Sequence, residues 1–144
     1  MKDKNKIKLF LVDDDAVFLK LLEIEFVEHS TFSVEPFMTG EQCIENLAHK
    51  PDVIILDYHL DGNDKSAMNG LIIMDRIKAV NPGIPVIILS CQDKIEVAVN
   101  CMHNGALDYV VKSETAFLRL KMIIETLFQH KKMEKELNWY MDRM

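Results

Sequence analysis

Three features of this sequence predict an open α/β fold, with a five-stranded parallel sheet covered by helices on both faces. Apolar, β-rich runs alternate five times with segments of helical period. Two of the runs, 52–57 and 85–90, carry no polar alternation, as expected of parallel strands buried on both sides. The length, 144 residues with 49% hydrophobic content, suits one domain with a sizeable core.

The first run, Ile7 to Val12, ends in Asp13-Asp14-Asp15. A helix follows, with Val17, Leu21, Ile24 and Val27 spaced along one expected core face and Asp15 as its N-cap. Phe32 to Pro36 is a weaker second strand. Thr39 and Gln42 form a capping box that opens a short helix through Leu47. The third strand is 52–57, followed by a long polar loop and a helix with Leu71, Met74 and Ile77 at helical spacing. After the fourth strand, 85–90, Asp93 and Glu96 suggest a capping box for a helix through Met102, which Asn104-Gly105 ends. Leu107 to Val111 is a short fifth strand, and Ser113 is placed to cap a long last helix.

Bulk composition excludes several classes of function. The charged fraction is 28% and the formal charge −6, which argues against non-specific nucleic-acid binding by this domain. Cys43, Cys91 and Cys101 show no CxxC spacing, and Cys101 with His103 lacks a second ligand pair, so a zinc site is not expected. The apolar run before Asp13 is too short for a signal peptide or a membrane span, so a cytoplasmic protein without membrane association is expected.

In an open α/β sheet, ligands bind beyond the carboxyl ends of the strands. The first strand brings Asp13, Asp14 and Asp15 to that edge, the third Asp57, the fourth Ser90, and the fifth Tyr109 and Lys112. Clustered carboxylates repel, and a hard divalent cation such as Mg²⁺ relieves the repulsion through oxygen ligands. A carboxylate is also a nucleophile towards phosphorus. Asp57 is the candidate nucleophile, Asp13 and Asp14 the candidate metal holders, and Lys112 and Ser90 the candidate contacts to phosphoryl oxygens.

The segments Phe10-Leu11-Val12-Asp13-Asp14, Ile54-Ile55-Leu56-Asp57, Val86-Ile87-Ile88-Leu89-Ser90 and Asp108-Tyr109-Val110-Val111-Lys112 resemble, in order and spacing, the four signatures of response-regulator receiver domains. The resemblance covers about residues 6–130. It implies a flavodoxin-like fold of strand order 2-1-3-4-5, acting in two-component or phosphorelay signal transduction. It implies Asp57 as phosphoacceptor. Mg²⁺ would be held by Asp57, by Asp14 directly, by Asp13 mainly through water and by the backbone carbonyl of His59. Ser90 and Tyr109 would be a switch pair, Ser90 moving to the phosphoryl group and Tyr109 turning inward. The implied partners are a histidine kinase or phosphotransfer protein and a downstream protein or output domain. The domain would not be an enzyme in the ordinary sense, although it would take part in its own phosphorylation and dephosphorylation.

Three departures from the family pattern stand out. Gly70 comes thirteen residues after Asp57 where the family usually has a glycine about eight on, so the loop from Leu60 to Asn69 is longer, lacks its usual proline and carries Asp61 and Asp64. It is either a solvated insertion or a lid. Cys91 follows the switch hydroxyl, where a smaller residue is usual, and Ser113 replaces the proline that usually follows the lysine, often through a cis bond.

The expected organisation is a receiver domain over 1–130 and a helical extension or linker over 131–144. In the extension Met133, Leu137, Tyr140 and Met144 repeat at 4-3-4 spacing, as in a coiled-coil stub, a homodimer contact or a linker helix. A competing assignment takes Asp13-Asp14-Asp15-Ala16-Val17 as the DxDxV motif of a haloacid-dehalogenase-like phosphatase with Asp13 as nucleophile. It requires a further acidic strand after Lys112 and leaves Asp57 without a role.

Overall fold

A computed structural model describes residues 6–29, 31–60 and 69–143. Five strands, β1 (Ile7–Val12), β2 (Phe32–Phe37), β3 (Val53–Asp57), β4 (Val86–Ser90) and β5 (Asp108–Val111), form one parallel sheet in the order β2-β1-β3-β4-β5. The intervening helices are α1 (Ala16–Val27), α2 (Gly40–Glu45), α3 (Gly70–Val80) and α4 (Ile95–His103), and α5 (Ala116–Arg143) follows β5. This is the predicted flavodoxin-like order. The order reverses direction at β1 and β3, so the crevice at that switch point opens beside Asp13 and Asp57.

Side-chain alternation divides the interior into two cores. Leu9, Leu11, Val53, Ile55, Ile87, Leu89 and Val110 face α1 and α5. Phe10, Val12, Ile54, Leu56, Val86 and Ile88 face α2, α3 and α4. Both parities of the central strands are therefore buried, which is why their sequences are apolar without alternation. Phe26 joins α1 to its neighbours through edge-on contacts with Phe32 and Phe117, at centroid separations of 5.1 and 4.9 Å.

The structure corrects the expected core face of α1. Leu19, Leu22 and Phe26 are buried, whereas Val17 and Leu21 are 70% and 57% exposed and Ile24 and Val27 are also exposed. The segment AVFLKLLEIEFV is apolar nearly all round, so helical spacing alone admits two faces. The choice is made by Phe26, whose ring enters the gap between β2 and α5.

Helix ends show where local chemistry was sufficient. Asp15 accepts from the N–H groups of Val17 and Phe18 at 3.1 and 3.2 Å, and Thr39 from Gln42 at 3.1 Å. Gly105, at φ +105°, ends α4 as expected. The predicted cap at Asp93 does not form: Lys94 occupies the position before α4, and no side chain closes that end. Ser113 accepts from the Thr115 N–H at 3.3 Å, closing a turn just before α5. The second helix is shorter than expected, since 3₁₀ geometry takes over at Leu47–His49.

Asp61, Asp64 and most of the loop between Leu60 and Asn69 lie outside the described residues, as does Met144. The loop's two ends are described. Leu60 is buried, and the Asn69 side chain accepts from the Ile72 N–H at 3.0 Å to start α3. The Gly70 N–H donates to the Tyr58 carbonyl at 3.0 Å. A Cβ at position 70 would stand 2.6 Å from the Asp57 carbonyl oxygen and 2.8 Å from the Tyr58 Cα, so only glycine fits without moving backbone. Cys43 and Cys101 are buried, and burial, aided by the charge of Glu35, pushes the Cys43 thiol up to about 12. The described backbone contains no cis peptide bond, and no described helix is long and apolar enough to cross a membrane.

Two stability measurements check these assignments. Leu22→Ala should cost about 2–5 kcal/mol in urea unfolding, and Leu21→Ala less than about 1 kcal/mol. The reverse ranking would restore the face expected from spacing. Gly70→Ala should lower stability by about 1–3 kcal/mol despite the better helix propensity of alanine. A gain in midpoint would mean that α3 does not abut the end of β3.

Candidate functional site

The carboxyl edge of the sheet collects the polar residues that the sequence delivers to strand ends. Asp13 and Asp57 are buried, at 2% exposure each, and Asp14 is more open. Carboxylate oxygens of the three lie within 4.8 Å of one another, the one such metal-competent cluster among the described residues. The Lys112 ammonium comes in from the end of β5, 2.8 Å from Asp13 Oδ2 and 3.5 Å from Asp57 Oδ1.

Backbone donors fix the carboxylates. The Asp15 N–H donates to Asp13 Oδ1 at 2.9 Å, and the His59 N–H donates to Asp57 Oδ1 at 3.2 Å. Asp13 Oδ2 is buried without a directed hydrogen bond, so the charge of Lys112 is its compensation. A buried anionic oxygen in that condition, beside two further carboxylates, fits a hard divalent cation.

Electrostatics follow from this crowding. Burial, then repulsion from Asp13, push the Asp57 carboxyl up to about 7, against the opposing pull of Lys112 and the His59 N–H. Burial tends to lower the Lys112 ammonium, but the closeness of Asp13 and the charge of Asp57 outweigh it and hold it above its ordinary value.

Ser90 and Tyr109 meet at the start of the β4–α4 connection. The Gln92 N–H donates to Ser90 Oγ at 3.0 Å, and the Tyr109 hydroxyl donates to the Gln92 carbonyl at 2.6 Å. Burial raises the Tyr109 phenol, with the Ser90 hydroxyl pulling the other way. The structure thus gathers Asp13, Asp14, Asp57 and Lys112 in one cluster, with His59 adjoining it through its N–H and Ser90 with Tyr109 at the neighbouring turn.

Sequence reasoning missed two participants. Gln92 links Ser90 and Tyr109 through its backbone, which no side-chain pattern could reveal. Phe18 lies under Lys112, with the ammonium 4.8 Å from its ring centroid. Its position three residues after Asp15, on the first turn of α1, was the available signal. The phosphatase assignment is not favoured, because α5 follows β5 directly and no described strand after Lys112 can carry the further acidic motif.

Comparison with known proteins agrees with this geometry. The family described as response regulator receiver domain matches residues 9–125. The transcriptional regulatory protein ZraR of Escherichia coli K12 is 28% identical over 127 residues, which cover 88% of this chain and 27% of ZraR. The DNA-binding transcriptional regulator NtrC of the same strain is 32% identical over 105 residues, covering 72% of this chain and 21% of NtrC. The chain thus spans about a quarter of the length of these relatives. Among solved structures, the signal receiver domain assigned to a Luxo repressor protein of Vibrio parahaemolyticus superposes with a TM-score of 0.76 at 26% identity, over 92% of this chain and 97% of that one. The BeF3-activated DrrB receiver domain gives a TM-score of 0.68 at 29% identity, over 83% and 98%.

The raised Asp57 carboxyl has a consequence for stability. The folded state binds this proton more tightly than the unfolded chain, so stability falls as pH rises from about 4 to about 7 and the loss is complete above that window. Asp57→Asn, measured with a chelator present, should therefore raise stability at pH 8 by on the order of 1–3 kcal/mol, with the gain shrinking towards pH 5. Thermal melts across pH test this, and a gain that grows on acidification would contradict it.

Proposed function

Because this chain belongs to the response regulator receiver domain family, we propose that it takes a phosphoryl group onto Asp57 from a phosphohistidine of a histidine kinase or phosphotransfer protein. The observation that supports this most strongly is the lysine between two buried aspartates at the switch point of the sheet. An Asp57 carboxylate oxygen attacks phosphorus as the P–N bond to the donor imidazole breaks. The imidazole nitrogen leaves with the bonding pair and takes a proton from solvent, and an acyl phosphate remains.

Asp13, Asp14, Asp57 and the His59 backbone carbonyl would hold Mg²⁺, which supplies charge neutralisation on the phosphoryl oxygens when bound. Lys112 adds positive charge of its own, and its pairing with Asp13 keeps the ammonium aimed at the crevice. Ser90 is the hydroxyl that leaves the Gln92 N–H to meet the phosphoryl group. Tyr109 then exchanges its bond with the Gln92 carbonyl for an inward position, which changes the surface of α4, β5 and α5. Hydrolysis by water attack on phosphorus returns Asp57 and releases phosphate.

The receiver unit is assigned to 1–130 and the helical extension to 131–144. Since the curated relatives are several times longer and are transcriptional regulators, the reader of the switch is an output domain or a separate protein. Nucleic-acid binding is not assigned to this acidic domain.

Incubation with a phosphorylated histidine kinase, or with acetyl phosphate and Mg²⁺, should label the protein with a hydroxylamine-labile acyl phosphate. Asp57→Ala should abolish the label, a chelator should suppress it, and Lys112→Ala should slow it by roughly tenfold or more. A hydroxylamine-stable label that persists in Asp57→Ala would refute the assignment.

A further inference from the structure

We infer that Phe18 is a positioning residue for phosphoryl transfer: the face of its ring holds the Lys112 ammonium in the crevice where the phosphoryl oxygens arrive. This rests on the reading of Asp57 as phosphoacceptor and adds to it a task that neither the acidic cluster nor the lysine performs. The need comes from the lysine itself. Its ammonium stands 2.8 Å from Asp13 Oδ2 and 3.5 Å from Asp57 Oδ1, yet Asp13 Oδ2 has no directed hydrogen bond. The ammonium is held there by charge, and Coulomb attraction specifies distance more than direction. A lysine stem also carries several rotatable bonds, so charge alone leaves its head group poorly aimed. On its outer side Lys112 borders a groove of about 470 Å³ together with Phe18, Cys91 and Ser113. Solvent in such a groove competes with oxygen ligands for the ammonium and screens its charge.

Phe18 answers both problems. Its ring centroid lies 4.8 Å from the ammonium, within reach of a cation–π attraction. The ring covers one side of the cation with a surface that solvent does not share. Phe18 is itself fixed from two directions. Its N–H donates to Asp15 Oδ1 at 3.2 Å in the first turn of α1, and its side chain packs against the core that contains Leu22 and Phe117. The N–H of the same Asp15 donates to Asp13 Oδ1 at 2.9 Å. Two neighbours of the ammonium, the ring and the Asp13 carboxylate, are thus set by one residue.

A ring face suits this task better than another carboxylate would. It attracts the cation without adding charge to a site where Asp13, Asp14 and Asp57 already crowd together. It competes weakly with oxygen for the N–H groups of the ammonium, which number three. The ammonium can therefore pass from Asp13 to an incoming phosphoryl oxygen while its contact with the ring persists. Packing alone does not call for an aromatic here. Phe18 is only half-buried, so an aliphatic side chain would meet the needs of the core edge. The ring is what the lysine uses.

The test compares labelling of the full chain by acetyl phosphate with Mg²⁺. Phe18→Leu should slow the hydroxylamine-labile labelling of Asp57 by roughly two- to tenfold, and Phe18→Tyr should keep most of the rate. Phenylalanine bearing one, two or three ring fluorines at position 18 drains the ring face of electron density with little change of shape. The rate should fall with each fluorine while the melting temperature stays constant. In a Lys112→Ala background Phe18→Leu should slow labelling no further, because the cation is gone. A readout without metal or donor comes from NMR: the ring should shift the Lys112 ε-methylene protons upfield, and Phe18→Leu should remove that shift. Fluorinated chains that label as fast as the parent would overturn the proposal. So would equal slowing by Phe18→Leu with and without Lys112, or ε-methylene protons indifferent to residue 18. In each of these cases labelling of the unsubstituted chain on Asp57 leaves the phosphoacceptor reading standing. An unsubstituted chain that takes no label on Asp57 would sink that reading and this one with it.

Discussion

A lysine ammonium set between two buried aspartates holds the carboxyl edge of this protein together. Asp13 and Asp57 are side by side because β1 and β3 are hydrogen-bonded neighbours. Two carboxylates in that position repel, and their removal from water adds to the cost. Lys112 offsets part of it from the end of β5, which β3 and β4 separate from β1. The site therefore exists only when β1, β3, β4 and β5 are all assembled, and its unrelieved negative charge is of the sign that suits a cation.

The remaining architecture serves that placement. A sheet buried on both faces makes rigid struts of the strands, so the residues at their carboxyl ends have little freedom. The first turn of α1 is involved as well: Asp15 caps the helix while its N–H fixes Asp13, and Phe18 lies beneath Lys112. One short segment thus sets a helix, a carboxylate and a cation together. Next to it, the Gln92 backbone joins Ser90 and Tyr109, its N–H bonded to one and its carbonyl to the other, so the two bonds meet at a single residue.

How much of this was legible in the sequence varied with the kind of signal. The strands and the acidic cluster were accessible because buried parallel strands leave a plain apolar record and their ends are marked by Asp13, Asp57, Ser90 and Lys112, whereas the strand order came only with the resemblance to receiver domains. Caps at Asp15 and Thr39 were accessible because the interaction spans only two or three residues. The face of α1 was not, because Val17, Leu21 and Ile24 share the periodicity of the buried side and the deciding contacts of Phe26 are distant in sequence. The failed cap at Asp93 has a similar cause: the residues of the box are present, but the helix starts one position later than the box requires. Gln92 contributes only backbone atoms, which leave no trace in residue type.

Gly70 gives the segment before it an evolutionary character. Its N–H is fastened to the Tyr58 carbonyl and its missing side chain lets α3 abut the end of β3, while Leu60 is tucked into the core. The chain therefore enters and leaves the stretch between Leu60 and Gly70 at two fixed posts. Lengthening a tether by a few residues costs well under about 1 kcal/mol in closure entropy. Added residues in that slot would leave the posts on either side where they stand beside Asp57. The length of that segment can thus vary without rebuilding the aspartate's surroundings.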